Sequence, residues 1–178
     1  MTDLVPPAEW NLHYEAWVIS DGEPDRSVGE VFDWFAVEFW SDEGLAISSE
    51  KSKSVIVLPN FEYRVCAEVI YLSEAACVID FGLNAIAHVR NLASPCKEGD
   101  YVSGRIGIGL PACTELLPEH FFNLYRWRVN RISADLTPYL PEIGIPDRSR
   151  AQYREIDSTK TGKARRYVLH CSEINSLV

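Results

Sequence analysis

The stretch from Tyr63 to Leu110, YRVCAEVIYLSEAACVIDFGLNAIAHVRNLASPCKEGDYVSGRIGIGL, leaves this chain the least freedom in how it can fold. Its β-branched and aromatic residues recur with the two-residue period of a strand, and turn residues break it at short intervals. Phe61–Leu72 and Ala75–Phe81 meet across Ser73-Glu74, which predicts a hairpin. Gly82–Asn84 then turns into Ala85–Val89, and Lys97-Glu98-Gly99-Asp100 turns into a strand over Tyr101–Leu110. Short links of this kind join antiparallel neighbours. The reading is therefore an all-β protein.

The flanking sequence adds strands to that core. Met1–Trp10 reads as an arm opposed to regular structure by Pro6 and Pro7, and Asn11–Ile19 as a strand. Asp21–Arg26 (DGEPDR) reads as a surface turn. Gly29–Ser41 is apolar on both alternating faces, which predicts a strand covered twice or one whose outer face binds something. After a polar loop, Ser54–Leu58 (SVIVL) reads as a short buried strand stopped by Pro59. Strand alternation resumes over Phe122–Leu136, with Tyr125, Trp127 and Val129 on one face and Arg126, Arg128 and Asn130 on the other. A loop follows over 137–151, and Tyr153–Ser158 is expected to pair with Ala164–Cys171 as a C-terminal hairpin spanning 152–172. The whole is expected to be one domain, 1–178, with an arm at 1–10 and its barrel core at 63–110.

Composition narrows the classes. With 178 residues, 47% hydrophobic and 24% charged, the chain can bury one core and is not of a disordered type. No apolar run is long enough to span a bilayer, and MTDLVPPAEW lacks a basic region followed by an apolar core, so no membrane partner is expected. Five widely spaced cysteines without a CxxC pair suggest reduced thiols in a cytoplasmic protein, with no disulfide framework, metal site or cofactor. The net charge of -9 is uneven: 13 acidic and 3 basic residues fall in Met1–Glu62, whereas Glu119–Val178 holds 7 acidic and 10 basic. Such a field steers basic partners inward and repels nucleic acid.

Within the core, the strand ending in AEVIYL, then CVIDFG, GLNAIAHVRNL and KEGDYVSGRI, resembles an S-one-type RNA-binding domain over residues 67–108. Gly82, Ala85–Val89 and Leu92 follow that family's pattern of glycine, apolar pair, histidine and apolar residue, and Gly99-Asp100 matches its Gly-Asp pair. The resemblance implies an OB-like small barrel, here elaborated by extra N- and C-terminal strands. It also implies that Phe81 and His88, with Tyr71 nearby, lie on a face that stacks bases. The sequence departs from the pattern at Ala85, where the family has glycine, and at Arg90-Asn91, where it has Ser-Glu.

The residue-level readings are these. Asp80 and Asp100 are turn caps rather than a carboxylate pair. Gly104, Gly107 and Gly109 serve close packing rather than a phosphate loop, since no helix follows them. No nucleophile-base or metal constellation can be read, so no catalytic residue is assigned and an enzyme ranks third. The candidate ligand-binding residues are Phe81, His88, Arg126, Arg128, Trp34 and Trp40, with Phe35 and Phe39 completing the aromatic run. The charge pattern favours a non-catalytic protein-binding module, an acidic antagonist of a basic partner in the manner of bacterial immunity proteins. The alternative is a single-stranded nucleic-acid binder using Phe81, His88 and the C-terminal arginines.

Overall fold

The computed structural model describes residues 5–34, 36–110, 125–142 and 144–174. In chain order its strands are β1 (Trp10–Glu15), β2 (Val31–Trp34), β3 (Val37–Trp40), β4 (Ala46–Ile47), β5 (Ser54–Val57), β6 (Tyr63–Leu72), β7 (Ala76–Asp80), β8 (Asn84–His88), β9 (Tyr101–Leu110), β10 (Tyr125–Asp135), β11 (Tyr153–Ile156) and β12 (Arg166–Glu173). Two one-turn helices, α1 (Ala16–Ser20) and α2 (Thr159–Gly162), complete it. Among the described residues no helix is long and apolar enough to cross a membrane. The protein is all-β.

The chain forms two compact units, one from residues 1–8 and 33–125, the other from 9–32 and 126–178, where the sequence reading has a single domain.

The first unit is a closed five-stranded barrel in the order β9-β3-β8-β7-β6 and back to β9. The β3–β8 pair is parallel and the other four are antiparallel. This is an OB-like arrangement with one change of chain order. The strand that closes the barrel between β8 and β9 comes from residues 37–40, ahead of the other four. Alternation along β6 explains its placement: Tyr63, Val65, Ala67 and Val69 are buried, while Arg64 is exposed and Glu68 half-exposed. Phe39, Tyr63, Phe81, Ile79, Ile106 and Ile108 fill the interior. Asp80 and Asp100 cap turns, accepting from the backbone N–H of Gly82 at 2.8 Å and of Lys97 at 2.9 Å. Gly104 and Gly107 sit where a Cβ would strike Leu45 at 2.9 Å and Trp40 at 2.5 Å, so close packing explains both.

The second unit is an antiparallel sheet in the order β11-β10-β12-β1. One face is its core, carrying Trp10, Leu12 and Tyr14 against Tyr167, Leu169 and Cys171, then Val129, Ile132 and Ala134. A bulge between Val129 and Arg131 shifts the alternation by one residue, so that Ile132 and Ala134 still face the core. Burial raises the thiol pKa of Cys77 to about 12 and pushes Cys171 above the usual thiol range, so neither offers a thiolate.

Several expectations need correction. The C-terminal hairpin does not form: β11 and β12 each pair with β10, which lies between them, and the intervening segment winds into α2. A strand of the two-sided kind expected over 29–41 is in fact two, β2 and β3. The strand expected over 11–19 ends at Glu15, and Ala16–Ser20 is helical. Trp10 is 2% exposed and belongs to β1 rather than to an arm. Arg26 is no surface residue: it is 5% exposed, its guanidinium lies 4.1 Å from the Phe32 ring, and it donates to Glu30 at 2.7 Å. The strand over 54–58, expected to be buried, is an exposed edge, with Ile56 at 55% and Val57 at 49% exposure.

Candidate functional site

In the barrel unit, the end of β3 and the middle of β9 frame a small surface pocket, about 40 Å³ in volume, lined by Trp40, Ser41, Asp42, Glu43, Glu62, Arg105, Ile106 and Gly107. The strand register builds it. Trp40 stands directly opposite Gly107, and a Cβ there would lie 2.5 Å from the indole atoms Cε2 and Cζ2. The absent side chain lets the ring lie against the β9 backbone. Ser41 is fixed by two bonds: its N–H donates to Asn91 Oδ1 at 2.9 Å, and its hydroxyl to the Arg105 carbonyl at 2.8 Å. Those bonds hold the following Asp42 and Glu43, both exposed, at the pocket mouth. Glu62 approaches from the turn before β6 and is 8% exposed as a whole residue; its Oε2 lies 3.5 Å from Arg105 Nε.

Three carboxylates against one guanidinium leave the pocket with a formal excess of two negative charges. An indole face beside carboxylates is the chemistry that receives a cation, by ring quadrupole and by charge-assisted hydrogen bonds. At about 40 Å³ the cavity is far smaller than a cofactor or drug-sized site and admits only the tip of a side chain. Among the described residues no group of three His, Cys, Asp or Glu side chains is placed to hold a metal ion.

The outer barrel face formed by β6, β7 and β8, where OB-like proteins stack bases, is differently furnished. Val78 and Ile86, facing one another across β7 and β8, are 3% and 2% exposed and pack with Ala36, Ile70 and Tyr71. Lys53 reaches over that face to Asp80 at 2.6 Å and Glu68 at 3.1 Å. Burial alone would lower the Lys53 pKa, but hydrogen bonds to those two carboxylates carry it above the usual lysine range. Phe81 is 0% exposed and so presents no ring to a base. His88 is exposed at the end of β8, where its Nδ1 accepts from the Arg90 N–H at 3.2 Å and caps a 3₁₀ turn.

The second unit places Arg126 and Arg128 as expected, exposed on one side of β10 with Tyr125, Trp127 and Val129 buried on the other. The same polar side carries a network that the sequence reading did not foresee. His170, 1% exposed, lies between Asn11 Oδ1 at 2.8 Å from its Nδ1 and Ser133 Oγ at 2.8 Å from its Nε2. With the asparagine oxygen as acceptor, Nδ1 carries the proton and Nε2 accepts from the serine hydroxyl. Asn11 and Arg131 stand directly opposite His170 on β1 and β10, so the register alone assembles the group. Burial, then the Arg131 charge, pushes the imidazole pKa down and keeps it neutral. Glu9 would be raised by burial, but bonds from Arg131 and Asn130 pull its pKa below the usual range. Both imidazole nitrogens are satisfied inside the sheet, so the trio ties three strands together.

Of the expected site residues, Trp40 lies in the pocket, and Trp34 is half-buried in β2 and not among the lining residues. Phe39 is 0% exposed in the barrel core, and Phe35 lies outside the described residues. The pocket acids went unrecognised in sequence, although Trp-Ser-Asp-Glu at a strand end was a legible signal for two of them. Glu62 and Arg105 had none, being brought together only by the β6–β9 register.

The structure thus defines an acidic, OB-like barrel with a carboxylate-rimmed tryptophan pocket. No family model, curated protein or solved structure matches this chain.

Proposed function

We propose that the protein is a non-catalytic binding module whose partner is a protein that presents a basic side chain to the Trp40 pocket. The observation that carries this reading is the pairing of the indole, seated on Gly107, with the carboxylates of Asp42, Glu43 and Glu62. The net charge of -9 supports it, since a negative surface speeds encounter with a basic protein and disfavours nucleic acid. An acidic antagonist or immunity-like protein of cytoplasmic, bacterial type has this character. Arg105, its side chain 61% exposed, already makes one guanidinium–carboxylate contact of this kind, with Glu62 at 3.5 Å.

The other reading, single-stranded nucleic-acid binding, draws on the exposed Arg126 and Arg128 and on His88. Against it stand the closed apolar cluster under Tyr71, the inward Phe81, and the engagement of Lys53 by Glu68 and Asp80 on the β6–β8 face. The two readings separate in one calorimetric titration series, with an arginine-rich peptide, a glutamate-rich peptide and an oligo-dT strand as probes. The basic peptide is expected to bind, to weaken with added salt, and to weaken at least about tenfold, roughly 1.4 kcal/mol, on Trp40→Ala. Binding of oligo-dT with no response to either peptide would reject the pocket reading.

A further inference from the structure

The edge of the barrel unit at β5 has a chemistry of its own. Among the described strands β5 pairs with β6 alone, in uninterrupted antiparallel register from Ser54–Cys66 to Val57–Tyr63. Leu58 donates its N–H to the Glu62 carbonyl at 2.8 Å. Because backbone groups alternate along an antiparallel ladder, Ser54 and Ile56 then bond toward β6. The N–H and C=O groups of Val55 and Val57 consequently point to the open edge.

Protein edges are ordinarily guarded by a charge, a proline or a bulge within the strand. Ser54–Leu58 has none of these, and Ile56 and Val57 are 55% and 49% exposed. The strand stops at Pro59, which has no N–H, and then turns through Asn60 and Phe61 with φ of 61° and 63°. A bulky aromatic residue in the left-handed region is strained, and strain of this sort gathers at functional positions. The turn gives the open edge a fixed length.

We propose that β5 is the contact of a symmetric homodimer, in which the β5 strands of two copies pair antiparallel about Ile56. Val55 of each copy then meets Val57 of the other, and each pair exchanges two main-chain hydrogen bonds. The two Ile56 side chains face each other at the non-hydrogen-bonded position, where Cα atoms come within about 4.5 Å. Pairing closes both edges at once, because the same patch is used twice.

Charge agrees with this geometry. Between Ser52 and Phe61 the one charged residue is Lys53, already held by Glu68 and Asp80. Arg64 stands opposite Ile56 on β6, so its symmetry mate lies three strand spacings away, roughly 14 Å. That exceeds the screening length of about 8 Å at physiological salt. The net charge of -9, which would otherwise keep copies apart, is thus sparse at this edge.

Sedimentation velocity over a concentration series tests the proposal with the full chain. Wild type should shift from monomer to dimer as concentration rises, and hydrogen exchange should slow at the Val55 and Val57 amides over the same range. Val57→Pro removes an outward N–H and spares the bonds to β6, so it should be monomeric throughout. Ile56→Glu places a charge on an exposed side chain and should do the same, and it decides the matter if the proline variant misfolds. A wild type that stays monomeric to its solubility limit, or an Ile56→Glu variant that dimerises as wild type does, overturns the proposal.

Discussion

Gly107→Ala is the sharpest probe of how the pocket is built. No left-handed backbone angle is required at Gly107, so alanine meets no backbone obstacle. The added methyl would lie 2.5 Å from Cε2 and Cζ2 of Trp40 and 2.8 Å from Nε1. Carbon pairs prefer about 3.5–4.0 Å, so the indole must retreat by roughly an ångström. Overpacking of this kind costs about 1–3 kcal/mol. Two effects oppose it: Trp40 is half-exposed and can swing outward, and alanine restricts the unfolded chain, a gain of about 0.4–1 kcal/mol. A net loss of about 0.5–2 kcal/mol is expected, read as a lower urea midpoint at unchanged slope. If the clash with Trp40 is the cause, the cost should vanish in a Trp40→Ala background, where alanine at 107 becomes neutral or stabilising. A double-mutant cycle measures that coupling. An equal loss in both backgrounds would refute the account of the pocket, since the methyl would then be clashing with something else.

Acid should weaken the second unit through His170. Its folded pKa is lowered, so below the unfolded value of about 6.5 the unfolded chain binds more protons, and stability falls as pH drops. Urea midpoints from pH 8 to 5 should show the decline, and His170→Gln should flatten it; a wild-type profile unchanged across that range would count against a neutral, buried imidazole. Arg126→Glu with Arg128→Glu should leave the melting temperature nearly unchanged, because both side chains are exposed on a strand whose other face carries the core. If that pair also leaves binding of the arginine-rich peptide unchanged or stronger, the arginines are not the receptor for it; a lost interaction would move the partner site to the second unit.

The all-β class and the barrel core were legible because period-two alternation and Gly-Asp turns are local chemistry. Tyr63–Leu72, Ala76–Asp80 and Tyr101–Leu110 could be read to within a residue or two, as could the inward Tyr125, Trp127 and Val129. Residues 153–156 and 166–173 were also recognisable as strands. Their mates were not, because pairing depends on which strand lies between them, and β10 is brought there from elsewhere in the chain. The same holds for burial at β5: an apolar run such as SVIVL looks alike whether it is central or at an edge. The chain order of the barrel was hidden for the same reason, since residues 37–40 carry no mark that they close a sheet begun at Tyr63.

By itself, then, the sequence determined the secondary-structure type, the caps at Asp80 and Asp100, the close-packing glycines and the uneven charge. The strand type and the caps are set by residues a few positions apart, and the glycines and the charge are read directly from the chain. Only the tertiary structure decided that Trp40 and Gly107 would meet, that Glu62 and Arg105 would share a pocket, and that Asn11, Ser133 and His170 would join across three strands. Those partners are separated by up to 159 positions, and their encounter is fixed by strand order and register, which the burial of whole faces selects.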